Sequence, residues 1–86
     1  MPQEEAVPVG KAIRRRRRQI VMSDGKVMTQ EDLGAASGIH ASTISRIERG
    51  VHKPDIATLN AIAAPLGTTA SALLAQGEPE PAGRAS

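Results

Sequence analysis

The stretch QEDLGAASGIHASTISRIER, which runs from Gln30 to Arg49, decides the fold. Gly38 separates two short helical patterns within it, and glycine adopts the positive φ of a tight turn at the least cost. Gly34 is small at the position where the two helices would cross, and Leu33 and Ile44 are placed to meet in the crook between them. The stretch therefore predicts a helix-turn-helix.

The ends of these two helices carry their own signals. Thr29 precedes Gln30, Glu31 and Asp32, so a hydroxyl N-cap is followed by acids in the first turn. The next helix contains Ile44 and Ile47, with Ile39 just before it, and Gly50 terminates it. The pattern places this third helix of the chain within His40 to Arg49.

Apolar positions with a helical period continue on both sides. A first helix from about Val9 places Ile13 and Ile20 on one face. Pro54 and Asp55 open a fourth helix that Gly67 ends, with Pro65 distorting its close. Its expected core positions are Ile56, Leu59, Ile62, Ala63 and Leu66. Thr69 caps a fifth helix that carries Ala70, Leu73 and Leu74.

The segment from Ile20 to Met28 is ambiguous. Asp24-Gly25 between two apolar runs is a hairpin signal. We favour an extended first helix followed by a loop, and a small hairpin is the alternative.

The composition favours one small all-helical domain. The chain has 86 residues, no Phe, Tyr, Trp or Cys, and 40% hydrophobic residues, so its core is aliphatic and disulfide frameworks and thiolate metal sites are excluded. We expect a flexible arm over residues 1–8, a domain over 9–76 and a disordered tail over 77–86, because the tail is rich in Pro, Gly and charge.

Charge is distributed unevenly. Residues 11–53 hold ten Lys or Arg against four Asp or Glu, whereas the two flanks each carry a net charge of −2. A concentrated excess of positive charge suits a polyanion partner. No grouping of residues suggests a nucleophile with its base, a metal site or a phosphate-binding glycine loop, so we expect no enzyme activity, metal or cofactor.

The start of the chain and its apolar runs fit neither a signal peptide nor a membrane span. We therefore expect a cytoplasmic protein.

The residues quoted above resemble the phage repressor and Cro class of helix-turn-helix proteins, also called XRE-like. The similarity runs from about Val9 to Leu74, and STISRIERG, from Ser42 to Gly50, is especially characteristic. The resemblance implies a compact five-helix, all-α domain with the helix-turn-helix at helices 2 and 3. It also implies that helix 3, at about Ala41 to Glu48, lies in the major groove of double-stranded DNA. A protein of this class is expected to be of bacterial or phage type and associated with the nucleoid.

The resemblance places base contacts at five positions: His40, Ala41, Ser42, Thr43 and Arg46. Their chemistry is coherent, because Arg can donate two parallel bonds to guanine, Ser can bond to either kind of base edge and Ala can meet a thymine methyl. For His40, capping of helix 3 is the favoured alternative. A solvated helix face is the alternative for Arg46.

Phosphate contacts are implied at Gln30, where the positive end of helix 2 helps, and at Arg49, His52 and Lys53 around the turn after helix 3. For His52, an exposed loop position is the favoured alternative. The five arginines Arg14–Arg18 wrap more than one helical turn, so they cannot all face DNA.

In the family, the positions that match Arg17 and Glu48 form a structural ion pair. Arg14, Arg15 and Arg18 point outward. Non-specific attraction to phosphate is one interpretation of these three arginines, and a solvated helix face is the alternative. Phosphate contacts are assigned to Arg14 and Arg18.

Three departures from the usual family pattern stand out. About six extra residues lie between Ile20 and Thr29, Gly34 replaces a more common Ala, and Pro65 disturbs helix 4. None of them changes the recognition helix.

We therefore expect a sequence-specific transcriptional regulator that acts as a repressor and binds DNA as a homodimer. The alternative is an antitoxin or co-regulator that uses the same scaffold mainly to bind protein.

Overall fold

A computed structural model describes residues 8–77. Its helices are α1 Pro8–Arg17, α2 Gln30–Ser37, α3 Ala41–Arg49, α4 Ile56–Ala63 and α5 Ala70–Gly77. The predicted all-α architecture, with the helix-turn-helix at α2 and α3, is confirmed. Apart from Pro8 and Gly77, the predicted flexible arm and tail lie outside the described residues.

One aliphatic core joins the helices. α1 packs against α3 and α5, while α2 packs against α3 and α4. The largest fully buried side chains are Ile13, Leu33, Ile44, Ile47, Ile62 and Leu73. Leu33 and Ile44, which were predicted to meet in the crook of α2 and α3, thus both lie in the core, whereas Ile20 and Ile39 pack against it only partly buried.

The helix-turn-helix begins and turns at the residues that the sequence marks. Thr29 Oγ1 accepts the Asp32 N–H at 3.0 Å, and Asp32 Oδ2 accepts the Thr29 N–H at 2.9 Å. This capping box satisfies two backbone donors at the exposed start of α2. At the other end, Gly38 has a φ of 78° and reverses the chain toward α3.

Two glycines allow backbones to approach closely. A Cβ on Gly34 would lie 2.8 Å from the Ile39 carbonyl oxygen, in the turn between α2 and α3. A Cβ on Gly10 would collide with the Ile47 carbonyl oxygen, where α1 crosses α3. The cost of glycine to both helices is therefore offset by close packing.

The favoured prediction for the segment after α1 is wrong. α1 ends at Arg17, and Val21 and Val27 form an antiparallel bridge instead of continuing the helix. Gly25 has a φ of 83°, and the Lys26 N–H donates to Asp24 Oδ1 at 2.9 Å. The Asp-Gly turn therefore overrides the apolar pattern, and the structure has the tight hairpin-like turn that was the alternative.

α4 also ends earlier than its apolar pattern indicates. The helix stops at Ala63, and a turn that contains Pro65 leads to Gly67. Leu66 is still buried, but Ile56, predicted to be a core residue, is 59% exposed. It is the first residue after the N-cap Asp55, and only the next turn of the helix reaches the core.

Candidate nucleic-acid interface

α3 has one packed face and one open face. Ile44 and Ile47 are fully buried, whereas Ser42 and Arg46 are exposed. At about 100° per residue, Arg46 points about 100° away from Ile47 around the helix axis. The core therefore holds α3 while it leaves a row of polar side chains open to a partner.

The five residues predicted to contact bases differ in their exposure. Ser42 and Arg46 lie on the open face, and His40 is exposed immediately before α3. Ala41 and Thr43 are half-buried. The structure thus brings Ser42 and Arg46 together one turn apart and covers part of Ala41 and Thr43.

His40 occupies the N-cap position of α3, but its side chain makes no capping hydrogen bond. Its carbonyl oxygen accepts the N–H groups of Thr43 and Ile44, each at 3.0 Å. The backbone of His40 therefore starts the helix while the exposed imidazole takes no part in the cap.

Behind the open face lies a buried ion pair. Arg17 Nε and Nη2 donate to Glu48 Oε2 and Oε1, each at 2.8 Å, in a two-bond arrangement. Arg17 Nη1 also donates to the Met28 carbonyl oxygen at 2.9 Å. The hydrogen bond to Glu48 is the main reason that the pKa of Arg17 is raised. One guanidinium therefore ties α1 to α3 and to the residue before Thr29.

Gln30 joins the same network. Its Nε2 donates to Glu48 Oε1 at 3.0 Å, and the side chain is half-buried at the first position of α2. The N-terminal end of a helix carries partial positive charge. Gln30 is therefore fixed by Glu48 at an end of α2 suited to an anion.

The end of α3 and the turn after it carry the remaining predicted phosphate contacts. Arg49, His52 and Lys53 are all exposed, and Gly50 ends α3 with a φ of 83°. Asp55 caps α4 nearby, and the Thr58 N–H that it accepts at 2.8 Å lowers the pKa of its carboxyl group. Two basic side chains and one histidine therefore lie around this exposed turn.

Some arginines of the run Arg14–Arg18 are exposed, and others form hydrogen bonds that hold the fold. Arg14 and Arg18 are exposed on α1. Arg16 Nε donates to the Leu66 carbonyl oxygen at 3.0 Å, and its Nη2 donates to the Gly67 carbonyl oxygen at 3.1 Å. Sequence reasoning missed this role of Arg16, although its place beside the buried face was the available signal.

Neither a membrane span nor a metal site is present in the described part of the chain. Between residues 8 and 77, no helix is long and apolar enough to cross a bilayer. The same residues contain no group of three or more His, Cys, Asp or Glu side chains that could hold a metal ion.

Comparisons with known proteins agree with this geometry. Residues 28–73 match the helix-turn-helix family. Among solved structures, the fold is similar to that of the clp gene regulator ClgR from Corynebacterium glutamicum, with a TM-score of 0.70 and 24% sequence identity. The similarity covers 84% of this chain and 70% of that chain. The sequence has no significant match among curated proteins.

The fold and the open face of α3 define a DNA-binding transcriptional regulator. The chain belongs to the helix-turn-helix family, of the phage repressor and Cro type that the sequence predicts.

Proposed function

We propose that this protein is a sequence-specific repressor that recognises its operator by placing α3 in the major groove. The observation that carries the proposal is the open face of α3, where Ser42 and Arg46 are exposed while Ile44 and Ile47 anchor the helix in the core. The major groove admits an α-helix, and its base edges distinguish all four base pairs. A rigidly held polar helix face is suited to that groove.

Each base-contacting residue has a chemical role in this proposal. Arg46 donates two parallel hydrogen bonds to a guanine, and Ser42 bonds to a neighbouring base edge. Ala41 meets a thymine methyl group with the part of its side chain that stays uncovered. His40 and Thr43 flank these contacts at the start of α3.

Phosphate contacts hold α3 in register. Gln30 reaches the DNA backbone from the start of α2, and the polar side chains at the end of α3 and in the turn after it reach the backbone from the other side. That second group comprises Arg49, His52 and Lys53. Arg14 and Arg18 add contacts from α1. Contacts of this kind position a protein on DNA, whereas contacts to base edges specify the sequence.

We also propose that two copies bind together. One short helix reads too few base pairs to compete with a genome of non-specific sites. Leu74 on α5 is 37% exposed, and Val51 and Ile56 beside the α3–α4 turn are 66% and 59% exposed. The neighbouring Leu73 is fully buried, so it is not available for such a contact. We therefore assign the dimer contact to Leu74, Val51 and Ile56.

We also propose that the protein lies in the cytoplasm and is associated with the nucleoid, where its DNA target would be.

Selection of bound sequences from random duplex DNA tests the function. We expect a palindromic consensus, because a two-fold dimer reads the same half-site twice. A reporter gene placed behind that consensus should then fall in expression when the protein is produced. Enrichment of no sequence would contradict the proposal and favour the protein-binding alternative.

A further inference from the structure

The outer face of α1 carries a second concentration of positive charge. Its members are Lys11, Arg14, Arg15 and Arg18, which are all exposed and line one shallow depression together with Gln19. Their spacing is that of one helix face. We call these four cations the α1 basic face.

The four cations of the α1 basic face are exposed, whereas the other two arginines of the run bond to groups within the protein. Arg16 is bonded to the carbonyl groups of Leu66 and Gly67, and Arg17 to Glu48. Within residues 8–77, the only ion pair is that of Arg17 with Glu48. Like charges three and four residues apart repel each other and destabilise a helix, so an anionic partner would relieve this repulsion.

The spacing of the cations suits a phosphate backbone. From Lys11 to Arg18, the face is roughly 10 Å long at the rise of an α-helix. One DNA strand carries a negative charge about every 3.4 Å along the duplex axis, so about three phosphates lie opposite four cations. Three of the four are arginines, whose guanidinium groups bind phosphate with two parallel bonds.

Half of the α1 basic face turns away from the surface assigned to the operator. Gly10 and Arg17 mark the side of α1 that touches α3. At about 100° per residue, Arg14 lies about 50° from that side, whereas Lys11 and Arg15 lie about 110° and about 150° away. On α3, moreover, the contact with α1 is made by Ile47 and Glu48, not by the open face. A straight duplex on α3 would therefore leave Lys11 and Arg15 without a phosphate.

We propose that Lys11 and Arg15, the half of the α1 basic face that turns away from α3, bind the phosphate backbone of a DNA segment other than the one at α3. This inference rests on the proposed function for the position of the operator. The segment is the flanking DNA of the same duplex, curved around the domain, because DNA tethered to the bound site has a far higher effective concentration than a free duplex. A second duplex is the competing source. The two sources present the same phosphate chemistry.

The test compares the double variant K11Q/R15Q with the wild type. Gln, Lys and Arg have similar helix propensities, and both sites are exposed, so the fold is retained. The control is Lys26→Glu, which changes the net charge by the same amount at an exposed position of the hairpin. Affinity is measured against salt on a short duplex that covers only the selected site and on a long duplex with random flanks.

On the short duplex, K11Q/R15Q should bind like the wild type. On the long duplex, the salt slope of the double variant should be smaller by about 2, so the wild type should lose about tenfold more affinity between 50 and 200 mM salt. If a second duplex were the partner, the same difference between variant and wild type would arise when random duplex is added to the short complex. Energy transfer from a donor-labelled short duplex to an acceptor-labelled random duplex would then report the bridge, and this result would contradict binding of the flanking DNA.

Equal behaviour of K11Q/R15Q and Lys26→Glu under all these conditions would overturn the proposal. The proposal would also be overturned if K11Q/R15Q bound the short duplex more weakly than the wild type does, with no further difference on the long duplex. The α1 basic face would then belong to the operator contact. If random duplex is bound through Lys11 and Arg15 while no sequence is preferred, the proposed function fails and the α1 basic face stands. If no duplex is bound, both fail.

Discussion

Arg17 is the residue whose loss the fold should tolerate least among the arginines. Only 11% of its side chain is exposed, and only 2% of that of its partner Glu48. Removing one member of a buried ion pair leaves the other charge buried without compensation. Glu48 would retain only its bond from Gln30, and the Met28 carbonyl oxygen would lose its bond from Arg17.

We expect Arg17→Ala to lower the free energy of unfolding by about 3 to 5 kcal/mol. Arg15→Ala is the matched control, because Arg15 is exposed on the same helix, and its effect should stay within about 0.5 kcal/mol. Thermal unfolding of the two variants measures the difference. Equal melting temperatures would show that the pair does not stabilise the fold.

Arg46 should matter for DNA and not for the fold. It is exposed on α3, so Arg46→Ala should leave the melting temperature unchanged. We expect binding to the preferred site to weaken by about 1 to 3 kcal/mol, with relaxed base preference at one position of each half-site. Competition binding with single-base variants of the site checks this. An equal loss on preferred and random DNA would identify a phosphate contact instead.

At the scale of the elements, helix starts and helix crossings follow different rules. The start of α2 could be predicted from Thr29 and the acids after it, because a cap depends on residues close in sequence. The pairing of Arg17 with Glu48 came from the family resemblance. The close approach of α1 to α3 at Gly10 could not be predicted, because a glycine in a helix does not reveal which distant backbone passes over it.

The hairpin shows the limit of periodicity. Ile20 and Met22 pack against the core, but Val21 and Val27 are exposed, so the apolar run alternates between faces as a strand does. Over so short a segment, this period is hard to distinguish from that of a helix. The turn at Asp24-Gly25 was the stronger signal.

Gly10 gives the sharpest test of the helix packing. Alanine has the higher helix propensity by about 1 kcal/mol, so propensity alone predicts that Gly10→Ala stabilises α1. We expect destabilisation by about 1 to 3 kcal/mol instead, because the new Cβ would collide with the Ile47 carbonyl oxygen. Denaturant unfolding measures it, with the exposed Lys11→Ala as control. Stabilisation by Gly10→Ala would mean that α1 lies farther from α3.

At the scale of the whole molecule, charge and symmetry connect the fold to its proposed function. The core fixes α1 against α3, so the open face of α3, the turn after it and the α1 basic face keep fixed directions relative to one another. Two copies with their α3 helices on one face of B-DNA would lie about 34 Å apart. The spacing of the half-sites is therefore a consequence of the dimer.

We expect half-sites centred roughly 10 to 11 base pairs apart. Five base pairs inserted between them would rotate one half-site by about half a turn, and affinity should then fall toward the non-specific level. Ten inserted base pairs restore the face of the helix and serve as the comparison. A 1:1 complex on a single half-site with undiminished affinity would contradict the dimer.

Above all, we propose that α3 gives this protein its preference for particular DNA sequences. The most direct test of this proposal is the ratio of dissociation constants for the selected site and for a shuffled duplex of equal length, measured at one physiological salt concentration. We predict that the selected site binds at least about 10³-fold more tightly, as is typical of specific DNA-binding proteins. Equal affinity for the two duplexes would contradict sequence recognition by α3, because contacts to the phosphate backbone alone would then explain all binding.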